Sequence, residues 1–221
     1  MLFLRPEPAS VEVLNDINGE LVNLYRVVQA HPEELIRQFQ WSLAGRQTFA
    51  ALKAADPGQL TDIQRAARFC YLQRMAFGGR VTGQTFGTST TSTVRFNPVR
   101  IIDRLRAAHA RLSRVCIEQI PWQDCMRRYD RPHSLFYCDP PYWQLAGYGV
   151  PFDFSEYQEL ARLMRVLRGK AIISINDHPD IRKCFRGFHI EQLSTRYTAG
   201  GGAGKKAMEL LIFSYDPGLV P

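Results

Sequence analysis

With 221 residues and 45% hydrophobic content, the chain can bury one α/β core and a helical insert but hardly two independent domains. No apolar run approaches the length of a membrane span, and charged and proline residues follow Met1 too soon for a signal peptide, so a soluble, cytoplasmic protein is expected. Five cysteines, odd in number and without a C-x-x-C pair, argue against a zinc knuckle and a disulfide framework; they are expected to be reduced and mostly buried, with no metal bound.

The first apolar run, Val11 to Leu14, reads as a strand; the Asn15-Asp16-Ile17-Asn18-Gly19 turn and a helix carrying Leu21, Leu24, Tyr25 and Val28 follow. A second helix opens with Pro32 in its first turn and carries Leu35, Ile36 and Phe39. Asp56-Pro57-Gly58 breaks the chain, and Thr61 with Gln64 three residues on has the capping-box spacing of a helix running to about Gly78-Gly79. Residues Thr82 to Thr93, rich in Gly, Ser and Thr around Phe86, are expected to form a mobile loop. Asn97-Pro98 then caps a helix with Ile101, Ile102, Leu105 and Leu112 inward.

Charge is concentrated in this middle stretch. From Asp62 to Arg114 lie ten arginines, namely Arg65, Arg68, Arg74, Arg80, Arg95, Arg100, Arg104, Arg106, Arg111 and Arg114, against Asp62 and Asp103, a surplus of 8 where the whole chain carries +7. The planar guanidinium fork suits phosphate oxygens and guanine edges, so a nucleic-acid partner is the natural inference; a solvated helical face is the plain alternative.

Past the insert, Val115–Ile117, Leu135–Cys138, Ala171–Ile175, Ile190–Leu193 and Leu210–Phe213 are short apolar runs, and a helix between two of them starts at Ser155 and stops at Gly169. Such alternation predicts a largely parallel sheet with helices on both faces and ligands at the carboxyl ends of its strands. Leu135–Cys138 delivers Asp139-Pro140-Pro141-Tyr142 to that edge. Two consecutive prolines remove two backbone donors and fix a turn that offers acceptors only. Its complement is an amine with two N–H groups, one hydrogen to the Asp139 carboxylate and one to the Pro140 carbonyl, on a ring that stacks against Tyr142. Ala199 to Lys206 looks like a phosphate loop, but a glycine is required where Ala199 stands and Ser or Thr where Lys206 stands, so a hairpin loop that brings Lys205 and Lys206 near phosphates is expected.

Asn15-Asp16-Ile17-Asn18, Leu135 to Tyr142, Ser174-Ile175-Asn176-Asp177 and Glu209-Leu210-Leu211-Ile212 occur in an order that resembles the Dam-type, D12 class adenine-specific DNA methyltransferases, particularly phage and prophage members. The resemblance implies an α/β fold, the Rossmann-like sheet of S-adenosylmethionine-dependent methyltransferases with its last strand antiparallel. It divides the chain into a catalytic domain (1–30 and 113–221) and a helical, Arg-rich target-recognition insert (31–112). It also implies methyl transfer from S-adenosylmethionine to the N6 amine of a flipped adenine in double-stranded DNA, as in restriction-modification, with Asp139, Pro140, Pro141 and Tyr142 catalytic. Asp16, Asp124 and Asp139 would hold the cofactor, and Arg65, Arg68, Arg74, Arg80, Arg95, Arg100, Lys205 and Lys206 the DNA. Asn-Asp before a helix is commonly only a cap, and Asn176-Asp177 reads as a turn with Pro179 opening a helix. The family's upstream Gly-rich segment and the central strand that carries it are not in this sequence. A truncated or mis-started chain, or one completed by another polypeptide, is therefore expected, with weak or no S-adenosylmethionine binding on its own. The competing expectations are a DNA-binding module without catalysis and methylation of another amine, such as cytosine N4 or a protein amide.

Overall fold

The computed structural model describes residues 7–40, 42–79, 82–87, 96–145, 149–197 and 205–219. It is a mixed α/β protein with eight α-helices among the described residues, and its packing divides into two compact units, Met1–Trp122 and Gln123–Pro221. The stretch expected as an insert, 31–112, falls within the first unit together with the strands and helix that flank it.

In the first unit, β1 (Val13–Asn15) leads into α1 (Gly19–Ala30), and α2 (Pro32–Gln40), α3 (Arg46–Ala54), α4 (Asp62–Met75) and α5 (Pro98–Leu112) follow before β2 (Cys116–Glu118). β1 and β2 pair in parallel, Leu14 opposite Ile117. The helices start where their caps stand. Asn18 accepts from the Glu20 and Leu21 amides, Asn97 from the Arg100 amide, and Thr61 and Gln64 close a reciprocal capping box. Their apolar faces meet in one core that includes Val27, Leu35, Phe39, Tyr71, Met75, Phe96, Ile101 and Leu105. α3, absent from the sequence reading, opens at Gly45 with no side-chain cap and buries only Phe49. α4 stops at Met75 rather than near Gly79, because Ala76 turns extended and forms a bridge to Phe86, and Gly78 adopts a φ of +69°. Of the loop expected over 82–93, residues 88–93 lie outside the described residues.

α6 (Trp122–Tyr129) begins at the unit boundary. The second unit then runs β3 (Leu135–Cys138), α7 (Phe154–Val166), β4 (Lys170–Asn176), α8 (Pro179–Cys184), β5 (His189–Tyr197) and β6 (Lys205–Phe213). Its sheet has the order β3-β4-β6-β5, with β3 and β4 parallel and β6 antiparallel to both neighbours. Ile173, Ile175, Leu210 and Ile212, which share one face by register, are fully buried. Gly169 ends the α7 turn by close approach, since a Cβ there would lie 2.7 Å from the carbonyl oxygens of Arg131 and Ser134. β5 and β6 form a hairpin in which Tyr197 pairs with Lys205; its connection, 198–204, lies outside the described residues, as do the side chains of Lys205 and Lys206. The five cysteines are free; Cys70, Cys125, Cys138 and Cys184 are half-buried as residues and Cys116 is exposed, because the two-stranded pair leaves it at the surface. No described helix is long and apolar enough to cross a membrane.

Candidate active site

Parallel pairing of Cys138 with Ile173 carries the chain one step further, so that Asp139 comes alongside Ser174. The Ser174 hydroxyl, itself buried, donates to Asp139 Oδ1 at 3.1 Å. Asp139 is exposed as a residue while its carboxyl leans on that wall. Burial pushes the carboxyl above the ordinary Asp range; the Ser174 hydrogen bond works against this and the nearby Glu209 charge adds to it. The neighbouring Cys138 thiol is pushed up to about 12, by burial first and by Cys125 and Asp139 after it, which leaves no thiolate nucleophile at neutral pH.

The turn after Asp139 is fixed at Pro141, Tyr142 and Trp143. Pro141 gives its carbonyl to the Tyr157 hydroxyl at 2.6 Å. The Pro140 carbonyl accepts no hydrogen bond among the described residues. Tyr142 donates its hydroxyl to Glu209 Oε1 at 2.7 Å. Asn176, at the end of β4, bonds Trp143 twice, accepting from its amide at 2.8 Å and donating to its carbonyl at 3.1 Å, while the Trp143 indole donates to Asp180 at 3.1 Å. The corner therefore presents one carboxylate and one backbone carbonyl with no competing donor from the prolines. Beside it opens a cleft of about 380 Å³ lined by Pro141, Tyr142, Trp143, Gln144, Phe152 and Tyr157. Its aromatic wall is packed edge to face, Tyr157 against Trp143 at 5.7 Å and against Phe152 at 4.8 Å.

Ser174, Asn176 and Glu209 belong to this site, although the sequence reading assigned none of them a role in it. The signal was a period of two: Ser174 and Asn176 interrupt one face of an apolar strand, and antiparallel register sets Glu209 opposite Asn176 on that face.

The other expected site residues lie elsewhere. Asp16 follows β1 in the first unit and accepts from the Asn18 amide at 2.7 Å through Oδ1. Asp124 stands exposed in the first turn of α6, ion-paired to Arg127 at 3.4 Å. Of the arginines, Arg65 bonds Glu20, and Arg68 donates to the carbonyls of Leu52 and Lys53, tying α4 to α3. Arg111 grips Glu12 with two nitrogens and Arg106 pairs with Glu33. Arg74 bonds Cys70. Arg100 and Arg104 are exposed on α5 with no ion-pair partner among the described residues. Arg80 and Arg95 lie outside the described residues. Among the described residues no group of three or more His, Cys, Asp and Glu could hold a metal ion.

A family model described as D12 class N6 adenine-specific DNA methyltransferase matches residues 6–199. The chain is 27% identical over 83% of its length to the "DNA N-6-adenine-methyltransferase" of Escherichia phage P1, of which it spans 26%. A type II methyltransferase of Lactococcus lactis subsp. cremoris is 22% identical over 97% of the chain and 82% of that protein. The "DNA adenine methylase" of Escherichia coli (strain K12) is 24% identical over 94% of the chain and 80% of that protein.

Proposed function

The chain belongs to the D12 class N6 adenine-specific DNA methyltransferase family, and from that premise we propose that its Asp139–Tyr142 corner grips the amine of an extruded adenine and readies it for methylation. The observation that carries this reading is the acceptor pair: an Asp139 carboxyl held by Ser174 and a Pro140 carbonyl left free while that of Pro141 is taken. The lone pair of an aromatic amine is delocalised into its ring. Hydrogen bonds from its two N–H groups to Asp139 and Pro140 draw the nitrogen toward tetrahedral geometry, and both acceptors oppose the positive charge that develops there. Tyr142 offers its ring for stacking once the base has left the duplex. The amine proton lost on alkylation has Asp139 as its nearest acceptor.

S-adenosylmethionine supplies an electrophilic methyl group when bound. Asp139 suits its methionine ammonium, Asp16 keeps one carboxylate oxygen without a partner among the described residues and suits a ribose hydroxyl, and Asp124 suits an adenine amine. The proposed fold is the Rossmann-like sheet with a helical target-recognition insert.

DNA is the proposed macromolecular substrate. Arg74, Arg80, Arg95, Arg100, Lys205 and Lys206 are proposed phosphate contacts, whereas the bonds of Arg65 and Arg68 to Glu20, Leu52 and Lys53 favour a structural role for those two. The test uses tritiated S-adenosylmethionine and unmethylated duplex DNA, digested to nucleosides. Label in N6-methyl-2′-deoxyadenosine is the expected result. Label in cytosine, or in protein but not DNA, would overturn the reading.

A further inference from the structure

We propose that Glu209 is a positioning residue for methyl transfer, holding the Tyr142 ring in its stacking plane through the phenol hydroxyl. This rests on the reading of Asp139–Tyr142 as the amine-binding corner and adds a residue with no role in it so far.

A carboxylate in the middle of an apolar strand needs a reason. Glu209 sits in β6 directly before Leu210, Leu211, Ile212 and Phe213, and its register partners are Asn176 on β4 and Leu193 on β5. Placing it there costs desolvation that a threonine or valine would avoid. What the position provides is reach. Register puts Ser174, Asn176 and Glu209 on one face of the sheet, the face along which the turn after β3 runs. Each of the three takes one residue of that turn: Ser174 takes Asp139, Asn176 takes Trp143, and Glu209 takes Tyr142 at 2.7 Å. The middle strands of the sheet thus act as a template, and Glu209 is its contact to the ring.

A tyrosine ring rotates about χ1 and χ2, and a stacking platform loses its value if it samples both. The hydroxyl oxygen lies on the χ2 axis, so a hydrogen bond there fixes χ1 by position and orients χ2 through the preference of a phenol O–H for the plane of its ring. The carboxylate is the strong acceptor for this, since a bond to a charged group is roughly twice as strong as one to a neutral group. The same charge stands close enough to Asp139 to raise its pKa. Among the described residues, the Tyr142 hydroxyl and the Cys138 thiol also titrate beside the corner, and Asp180 of α8 reaches Trp143 instead.

The test compares Glu209→Ala, Glu209→Gln, Tyr142→Phe and the Glu209→Ala/Tyr142→Phe double variant in the full protein, each checked for fold by circular dichroism. Glu209→Ala and Tyr142→Phe are each expected to lower kcat about tenfold with the KM for S-adenosylmethionine unchanged, and the double variant to lose no more than either. Glu209→Gln keeps an acceptor and is expected to retain most of the plateau rate while its acid limb moves to lower pH. Wild-type kcat in Glu209→Ala, or a double variant that loses the product of both effects, would overturn the proposal. If the unmutated protein transfers no methyl group to DNA, the reading of the site fails rather than this contact. The contact is then read by carbon NMR of Tyr142: its hydroxyl-bearing ring carbon moves in Glu209→Ala if the proposal holds, and an unmoved resonance rejects it.

Discussion

Two strands of this protein end in Asn-Asp, and the two ends use the asparagine alike and the aspartate differently. At the end of β1 the Asn15 amide donates to the Ile120 carbonyl at 3.0 Å and accepts from its amide at 3.1 Å, clamping the turn after the neighbouring β2. At the end of β4 the Asn176 amide clamps Trp143 in the same way, after the neighbouring β3. In each case a side chain continues the parallel ladder one step past its last backbone bond. The aspartates then diverge. Asp177 is bound by Arg182 through two nitrogens at 2.6 and 2.8 Å, whereas Asp16 gives one oxygen to its own turn and meets no cation among the described residues. A dipeptide alone does not separate a structural carboxylate from an available one; the arginine five residues on does.

This comparison can be pressed at three of its four side chains. Asn176→Ala carries the largest expected effect, because it releases the turn that holds Asp139 and Tyr142; a displacement of about an ångström lowers methyl transfer on the order of a hundredfold, read as kcat. Asp16→Asn should raise the KM for S-adenosylmethionine about tenfold and leave kcat near its starting value, since the cap to Asn18 survives in the amide. Asp177→Asn should leave the kinetics alone and lower stability by about 1 kcal/mol in a urea titration. The hydrogen bond from Arg182 holds the Asp177 carboxyl below the ordinary range, so its stabilisation is present at neutral pH and is lost as pH falls through that lowered pKa. In the variant, that part of the acid-unfolding curve should vanish.

The arginines permit a smaller test of the same lesson, that the partner decides the role. Arg100→Ala should weaken DNA binding about threefold and reduce the slope of log affinity against log salt by about one. Arg68→Ala should leave that slope unchanged and instead loosen the α3–α4 contact. Equal slopes for the two variants would remove the distinction drawn from their surroundings.

Caps and strands were legible in the sequence wherever a local rule governs them. Thr61 with Gln64, Asn97-Pro98, Pro179 and the run Leu135–Cys138 each stand where they were expected. α3 was not legible, because Gly45 supplies no cap and only Phe49 commits its face to the core. The site was half legible. Asp139 to Tyr142 is contiguous and could be read as one object, while Ser174, Asn176 and Glu209 join it only through register between strands far apart in the chain. The charge surplus of the middle stretch was readable as a sum but not as a surface, because Arg65, Arg68, Arg106 and Arg111 spend their guanidinium groups on Glu20, Leu52, Glu33 and Glu12.

The most direct measurement is the single-turnover rate of methyl transfer to duplex DNA by Asp139→Asn, with the fold matched by circular dichroism. An amide at that position keeps the shape of the corner and turns half of its acceptor into a donor, so the rate should fall by about a hundredfold to a thousandfold. A rate within about threefold of the unmutated protein, near the limit of a single weak contact, would mean that the amine is not held at Asp139.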